Sequence, residues 1–185
     1  MKSKPTQFHS VFSCLLALTL LAAAPLAADT VSGLEWTPPA AWKAEGAAPM
    51  RAATYKIPAA AGDSEGGECV VYYFGAGQGG GVEPNIKRWI GQFTAPDGGP
   101  ADGLAKRGKK TLNGIEAATL DLTGTYLFKP FPMAPKATPK PGYRMLAAIV
   151  AGADAPVFFK LTGPMKTVAA AEAVYEKMLG SLKKK

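Results

Sequence analysis

The sequence is poor in histidine and cysteine, two residue types on which much protein chemistry depends. Its 185 residues contain one histidine, His9, and two cysteines, Cys14 and Cys69. Only Cys69 lies beyond the apolar stretch near the N-terminus. Imidazole and thiolate groups carry most general acid–base, metal and thiol–disulfide chemistry. We therefore expect no internal disulfide and no cofactor, and a protein that acts through its shape and surface charge.

The N-terminal residues have the three parts of a secretory signal peptide. Two lysines come first, an apolar run over 11–26 follows, and small residues end the segment. The apolar run is shorter than the about 20 residues that a membrane-spanning helix needs. A lipid anchor on Cys14 is disfavoured because that residue lies inside the run. The pattern predicts a signal peptide over 1–28, cleaved after Ala28, and a periplasmic or secreted protein with no transmembrane segment after cleavage.

The remaining 157 residues have the size of one ordinary domain. They contain 19 basic and 14 acidic side chains, and three of the basic ones form the terminal run 183–185. This mild excess of positive charge gives no reason to expect a nucleic-acid partner. We divide this part into a leader over 29–40, where two prolines oppose regular structure, a single domain over 41–182, and a basic tail over 183–185. The oligomeric state stays open.

Hydrophobic patterning predicts a chain that is rich in strands and contains two helices. Ile86, Trp89, Ile90 and Phe93 recur at helical spacing, and Asn113-Gly114 is a strong hairpin signal. Because short links join neighbouring strands, the predicted fold class is α+β, a mainly antiparallel sheet with helices packed on it. The predicted strands begin at Trp42 and cover 51–57, 68–74, 105–112, 115–123, 143–150 and 157–161, and the predicted helices cover 82–93 and 164–179.

The order of these elements over 36–182 resembles the PsbP-like fold, an α/β/α sandwich. Two motifs, FGAGQGG at 74–80 and RWIGQF at 88–93, are also similar to those of a group of exported bacterial proteins of unassigned function. The resemblance implies a sandwich fold and a role in binding or assembly. It implies no catalytic residue.

Three features could carry chemistry, and each also has a plain structural interpretation. The glycines at 75–80 fit a nucleotide-binding loop, yet hairpins rather than a parallel strand follow, which favours a flexible connector and leaves a weak anion site open. Cys69 has apolar neighbours, as a buried structural thiol does. Ser181 and Lys184 have the spacing by which a lysine activates a serine, but they lie at the chain end, where a helix frays.

Charged clusters allow the same two interpretations. Asp63, Glu65 and Glu68 could hold Ca²⁺, but their spacing lacks a calcium-loop pattern, which favours a solvated turn. The four cations within 106–110 could bind an anionic surface, and an exposed strand edge needs the same charges for protection.

The segment 128–144 is the most unusual part of the sequence. It holds five prolines and four basic residues, and no acid occurs over 122–153. So many prolines oppose entry into a sheet, which predicts a rigid insert that either docks a partner or covers a sheet edge as a flap. The polar face of the first helix is expected to adjoin it. The predicted ligand- or partner-binding residues are Phe131, Met133, Lys136, Lys140, Arg144, Asn85 and Arg88.

The sequence therefore favours an exported, non-enzymatic accessory domain that contacts a protein partner or an anionic surface in the cell envelope through this insert. Two alternatives stay open. One is an envelope hydrolase that uses paired carboxylates in a cleft, for example Glu116 or Asp121 with another acid. The other is a purely structural envelope protein, which would lack an exposed apolar patch.

Overall fold

The computed structural model describes residues 28–46, 48–131 and 134–185. Nearly all of the predicted signal peptide, and Met133 among the predicted binding residues, lie outside the described residues. The strands are β1 (Asp29–Val31), β2 (Leu34–Trp36), β3 (Lys43–Glu45), β4 (Arg51–Ile57), β5 (Gly67–Tyr72), β6 (Phe93–Thr94), β7 (Lys106–Leu112), β8 (Ile115–Phe128), β9 (Thr138–Val150), β10 (Val157–Pro164) and β11 (Lys183–Lys184). The helices are α1 (Val82–Ile90) and α2 (Met165–Gly180), with a short 3-10 turn at Asp102–Leu104.

One large antiparallel sheet forms the centre of the protein. Its strands run in the order β3-β4-β5-β10-β9-β8-β6, and β7 pairs with β8 on the same edge as β6. The predicted hairpin at Asn113-Gly114 is confirmed. Both residues have positive φ, 49° and 79°, which the two-residue turn requires because it must match the twist of the strands. The α+β fold class, mainly antiparallel, is confirmed as well.

The two helices cover opposite faces of this sheet, and strand alternation decides which side chains each one meets. On β10, Val157, Phe159 and Leu161 belong to the core under α2. Phe158, between them, belongs to the core under α1. Because successive strand residues point to opposite faces, one apolar strand serves two cores. The resulting layers are helix, sheet and helix, as the expected α/β/α sandwich requires.

Residues at both ends of the domain form a second, small sheet in the order β1-β2-β11. The Trp36 indole donates a 2.8 Å hydrogen bond to the Tyr55 hydroxyl, which in turn donates to the Asp29 carboxylate. Lys183 on β11 pairs with Glu35 on β2 at 2.7 Å. The leader over 29–40 was expected to lack regular structure, but it contains β1 and β2, because its two prolines come after β2 has ended. The basic tail over 183–185 contributes β11 to the same small sheet.

Both predicted helices are present, and their ends differ from the prediction. α1 ends at Ile90, so Phe93 is buried from β6 rather than from the helix. The apolar residues of α2 at helical spacing, Val168, Ala171, Tyr175 and Met178, are buried, while Pro164, where the predicted helix begins, ends β10 instead. The N-terminus of α2 is capped from a distance, since the Asp63 carboxylate accepts bonds from the Thr167 amide at 2.8 Å and hydroxyl at 2.7 Å.

Part of the proline-rich insert belongs to the sheet, contrary to the sequence prediction, since Phe128 ends β8 and β9 begins at Thr138. β8 and β9 continue past the end of β10, whose last residue, Pro164, pairs with Tyr143. Pro139 and Pro141 lie in this extension of β9, which pairs only with β8. Proline lacks an N–H donor and is tolerated where a strand has a free edge, so the prolines do not interrupt the strand. We call residues 126–142 the arm.

Candidate functional site

The face of the sheet that carries α1 is only partly covered by the helix. The buried cluster under α1 draws its sheet residues from β6, β8, β9 and β10 and includes none from β4. The other half of the face, over β4 and β5, carries charged and polar side chains instead. Alternation along each strand places Lys56 opposite Glu68 on this side. A register shift between Arg51 and Ala53 brings Arg51 to the same side, opposite Tyr72.

Four cations on or beside this half, together with the Glu68 carboxylate, form what we call the basic patch, namely Arg51 and Lys56 on β4, Lys160 on β10 and Arg88 on α1. Glu68 accepts from Arg51 at 3.1 Å and from Lys56 at 2.5 Å. Burial raises the pKa of Glu68, but the bond and charge of Lys56 and the charge of Arg51 outweigh it and leave the pKa below its usual value. The Arg51 guanidinium also lies 5.6 Å from the centre of the Tyr72 ring.

Lys160 is the buried member of the patch, with 8% of its surface exposed. Its Nζ donates to Gln92 Oε1 at 2.5 Å and lies 5.5 Å from the centre of the Tyr126 ring. Among the described residues no carboxylate lies within ion-pair distance of this ammonium group. Burial, helped by the positive charge of nearby Arg88, lowers the pKa of Lys160 to about 8.

Asn85 and Arg88, both predicted to face a partner, have different roles. Asn85 is 5% exposed, and its amide donates to the carbonyls of Gly79 and Gly81 at 2.8 Å each. Its oxygen accepts from Arg88 Nη2 at 2.6 Å. The prediction is wrong for Asn85, because this residue is buried and ties the glycine segment 75–81 to α1. Of the two residues, Arg88 is the exposed one. The glycine segment is therefore fixed by packing, since a Cβ at Gly79 would stand 2.9 Å from the Phe158 ring.

The arm holds three more of the predicted residues, Phe131, Lys136 and Lys140. Lys140 pairs with Glu65 at 2.6 Å and lies 5.0 Å and 5.3 Å from the ring centres of Phe128 and Tyr143. Phe131 is 56% exposed, and Lys136 is exposed as well. Tyr126 stacks on Tyr143 with ring centres 5.8 Å apart. Since Tyr126 also faces Lys160, it joins the arm to the basic patch.

Arg144, predicted to share a surface with Lys140, lies on the opposite face of the sheet. The pairing of β8 with β9 shifts between Gly124 and Tyr126, and Gly142 at this bulge has a φ of 70° that favours glycine. Arg144 binds Asp121 through two contacts of 2.9 Å and Glu172 of α2 at 2.7 Å. The prediction is wrong because this guanidinium holds α2 to the sheet.

The same contacts bear on the carboxylates that the hydrolase alternative would use. Asp121 shares the Arg144 guanidinium with Glu172, so both acids are bound to one cation and not free to meet a substrate. Glu116 is exposed and accepts from the Thr111 hydroxyl at 2.8 Å. Asp121 lines a cleft with Glu172 and Glu176, where Arg144 and Lys110 pair with these acids. Glu116 lines a second cavity with Glu83 and Asp154. There Arg107 pairs with Glu83, and the Ser32 and Tyr73 hydroxyls donate to Asp154.

The other residues that the sequence analysis singled out make contacts within the fold. Burial raises the pKa of the Cys69 thiol, which is fully covered. Asp63, Glu65 and Glu68 point in three directions, to the α2 N-terminus, the arm and β4. The Ser181 hydroxyl accepts from the Thr37 amide and donates to the Met178 carbonyl.

Within 106–110, Arg107 pairs with Glu83 of α1 and Lys110 with Glu176 of α2. These two cations therefore help to hold both helices to the sheet.

Sequence reasoning missed Arg51 and Lys160. Lys160 did leave a signal, because it is the one charged residue in the apolar strand VFFKL at 157–161. A charge within a strand buried on both faces points to a special environment. For Arg51, which lies at the start of an alternating strand, we find no such signal.

Comparison with known proteins identifies solved structures with a similar fold. No protein-family model and no curated protein matches the sequence. A solved structure, cyanobacterial PsbP (CyanoP) from Synechocystis sp. PCC 6803, is similar with a TM-score of 0.51 and 12% identity, over 92% of this chain and 99% of that one. The protein of unknown function PA94 from Pseudomonas aeruginosa has a TM-score of 0.47 and 14% identity, over 88% of this chain and 99% of that one.

Within the described residues, neither helix combines the length and the apolar character needed to cross a membrane. The first likeness confirms the predicted PsbP-like fold. At 12% identity it shows the fold and leaves the role to be argued from the residues. We conclude that the chain has a PsbP-like α+β fold.

Proposed function

We propose that the chain is an exported accessory domain, related to the exported bacterial group that shares its two motifs, and that it binds a protein partner in the cell envelope. The contact surface is the arm together with the neighbouring basic patch. Export rests on the signal-peptide pattern over 1–28. The observation that carries the proposal is the exposed aromatic and basic arm, which extends past the end of β10.

The arm exposes apolar surface that the core does not use. Phe131 and Phe128 are among the exposed large hydrophobic side chains, and neither belongs to a core cluster. Exposed aromatic side chains beside cations are typical of the centre of protein interfaces. A purely structural protein would have no reason to keep them there.

The charge of this surface indicates what kind of partner it fits. Lys129 and Lys136 on the arm are exposed, Arg88 lies on α1, and no acid occurs over 122–153. The one acid that pairs with the arm is Glu65, from the loop after β4. An acidic protein surface with an apolar centre would complement these groups.

The test compares matched variants in capture from the native envelope fraction. We expect Phe131→Ala and Lys136→Glu to reduce recovery of a partner that the unaltered protein captures. Leu104→Ala and Lys109→Glu are the controls, since Leu104 is 41% exposed and Lys109 is an exposed cation on β7. All four proteins should keep the unaltered melting temperature, because the positions are exposed. Equal recovery by the arm variants and the controls would contradict the proposal.

A fifth variant replaces 129–137 by a short turn. Phe128 and Thr138 are direct neighbours across the β8–β9 pair, so a few residues are enough to close the hairpin. This variant should fold and lose the partner altogether.

A further inference from the structure

We propose that the basic patch is a binding site for a small oxyanion, a phosphate or carboxylate group, with Lys160 as its buried anchor. The inference rests on the proposed binding function and adds to it the chemistry of a ligand. The anion site lies on the surface of the sheet on the α1 side, whereas the partner surface proposed above centres on the arm.

The charges of the patch do not balance. Its four cations meet two carboxylates, namely Glu68, which Arg51 and Lys56 share, and Glu45 of β3, which lies 3.8 Å from Lys56. Arg88 donates to the side-chain amide oxygen of Asn85, and Lys160 donates to that of Gln92. Every acidic residue of the sequence lies within the described ranges. The chain therefore offers these two cations no counter-ion within ion-pair distance.

Such an arrangement is costly for Lys160, because a buried ammonium group is destabilised when no negative charge compensates it. The lowered pKa of Lys160 expresses this cost. A bound anion would supply the missing charge. Strongly perturbed, unpaired charges of this kind are candidates for functional sites.

The groups around Lys160 offer further donors to an anion. Burial raises the pKa of the Tyr72 and Tyr126 hydroxyls, so both stay protonated at neutral pH. The Thr162 hydroxyl, two residues along the same face of β10, is buried and has no hydrogen-bond partner among the described residues. An oxyanion, which only accepts hydrogen bonds, fits a set of groups that mostly donate.

The half-buried side chain of Gln92, which follows the end of α1, lies against Lys160. Its side-chain oxygen is the present acceptor of the Lys160 ammonium at 2.5 Å. A small anion can take the place of this oxygen after rotation of one half-buried glutamine side chain. An acidic peptide needs more room than this, which favours a small free anion.

Binding should weaken as pH rises above about 8, because Lys160 then loses its charge. The titratable and charged groups that face Lys160 are Arg51 from β4, Glu68 and Tyr72 from β5, Arg88 from α1 and Tyr126 from β8, with Lys140 and Tyr143 of β9 at the base of the arm. Lys160 is the one member of this set whose pKa is placed near 8.

The test is a titration of the exported protein with inorganic phosphate and, separately, with acetate, followed by NMR of the lysine and backbone signals. We expect saturable shifts at Lys160 and Gln92 with at least one of the two anions. Lys160→Met should weaken binding by about tenfold or more, and Arg88→Met by less. Lys109→Met, which removes an exposed lysine of β7, should leave the affinity unchanged.

Several results would overturn the inference. These are the absence of saturable shifts in the unaltered protein, equal weakening by Lys109→Met and Lys160→Met, or preferential binding of a hexaglutamate peptide at Lys160. Arg88→Met keeps the test valid if Lys160→Met does not fold, since Arg88 is exposed. If phosphate and acetate fail to bind while the arm variants still lose the partner, only this inference is wrong. If an anion binds while the arm variants keep the partner, only the proposed function is wrong.

Discussion

Each face of the sheet holds a shielded cation, Arg144 partly buried and Lys160 buried, and the two cations have different partners. On the α2 face, Arg144 is surrounded by Asp121 and Glu172 and joins three elements. On the α1 face, Lys160 meets an amide oxygen and an aromatic ring. Removing a cation that neutralises carboxylates leaves those acids uncompensated and destabilises the fold, whereas removing a buried cation without such partners relieves a desolvation cost. The comparison separates a structural charge from a charge that is available to a ligand.

The largest expected effect is the loss of stability when Arg144 is replaced. Arg144→Met leaves Asp121 and Glu172 close together without a cation, and we expect it to lower the free energy of unfolding by about 2 to 3 kcal/mol. This is less than for a fully buried pair because both acids are partly exposed. Urea denaturation at neutral pH measures it.

The matched control for this prediction is Lys110→Met, which removes an exposed ion pair with Glu176 on the same face. We expect it to cost about 0.5 kcal/mol or less. A loss no greater for Arg144→Met than for Lys110→Met would show that Arg144 does not hold α2 to the sheet.

The next effect has the opposite sign. Lys160→Met should raise the free energy of unfolding at pH 7 by about 1 to 3 kcal/mol, because an apolar side chain of similar size avoids the burial of an unpaired charge. The gain is reduced by the loss of the bond to Gln92. Urea denaturation of both proteins measures it, with Lys109→Met as a control that should change nothing.

The pH dependence of this gain follows from the pKa of Lys160, which burial lowers to about 8 in the folded protein. In the unfolded chain the lysine has its ordinary pKa and holds its proton up to higher pH. The unfolded state therefore binds more protons between pH 8 and about 10.5, and the stability of the unaltered protein rises with pH there. The advantage of Lys160→Met should be complete below pH 8 and shrink through this range. An advantage that stayed constant would contradict the assignment.

Much of the fold could be predicted because the patterns that define it are local. The turn at Asn113-Gly114 and the apolar stripe of α2 depend on residues close together in sequence, and the structure contains both. The leader was missed because β1 and β2 pair with a strand at the other end of the chain. Long-range pairing of this kind leaves no local signal.

The site was harder to predict than the fold. The face on which a side chain lies, and the residues that it contacts, depend on the register of the strands. Lys140 and Arg144 are four residues apart, and the bulge before Gly142 sends them to opposite faces. Asn85 looked exposed at helical spacing, and the glycine carbonyls that it binds come from a preceding loop. The prolines of the arm suggested a loop, since nothing local shows that this part of β9 has a free edge.

The most direct test of the account is the titration of the Lys160 ammonium group itself, followed through its carbon and proton signals in NMR, with and without phosphate. The account predicts a midpoint near pH 8 in the free protein and a higher midpoint when phosphate is bound, since a bound anion favours the charged form. An ordinary lysine midpoint that phosphate does not move would contradict it.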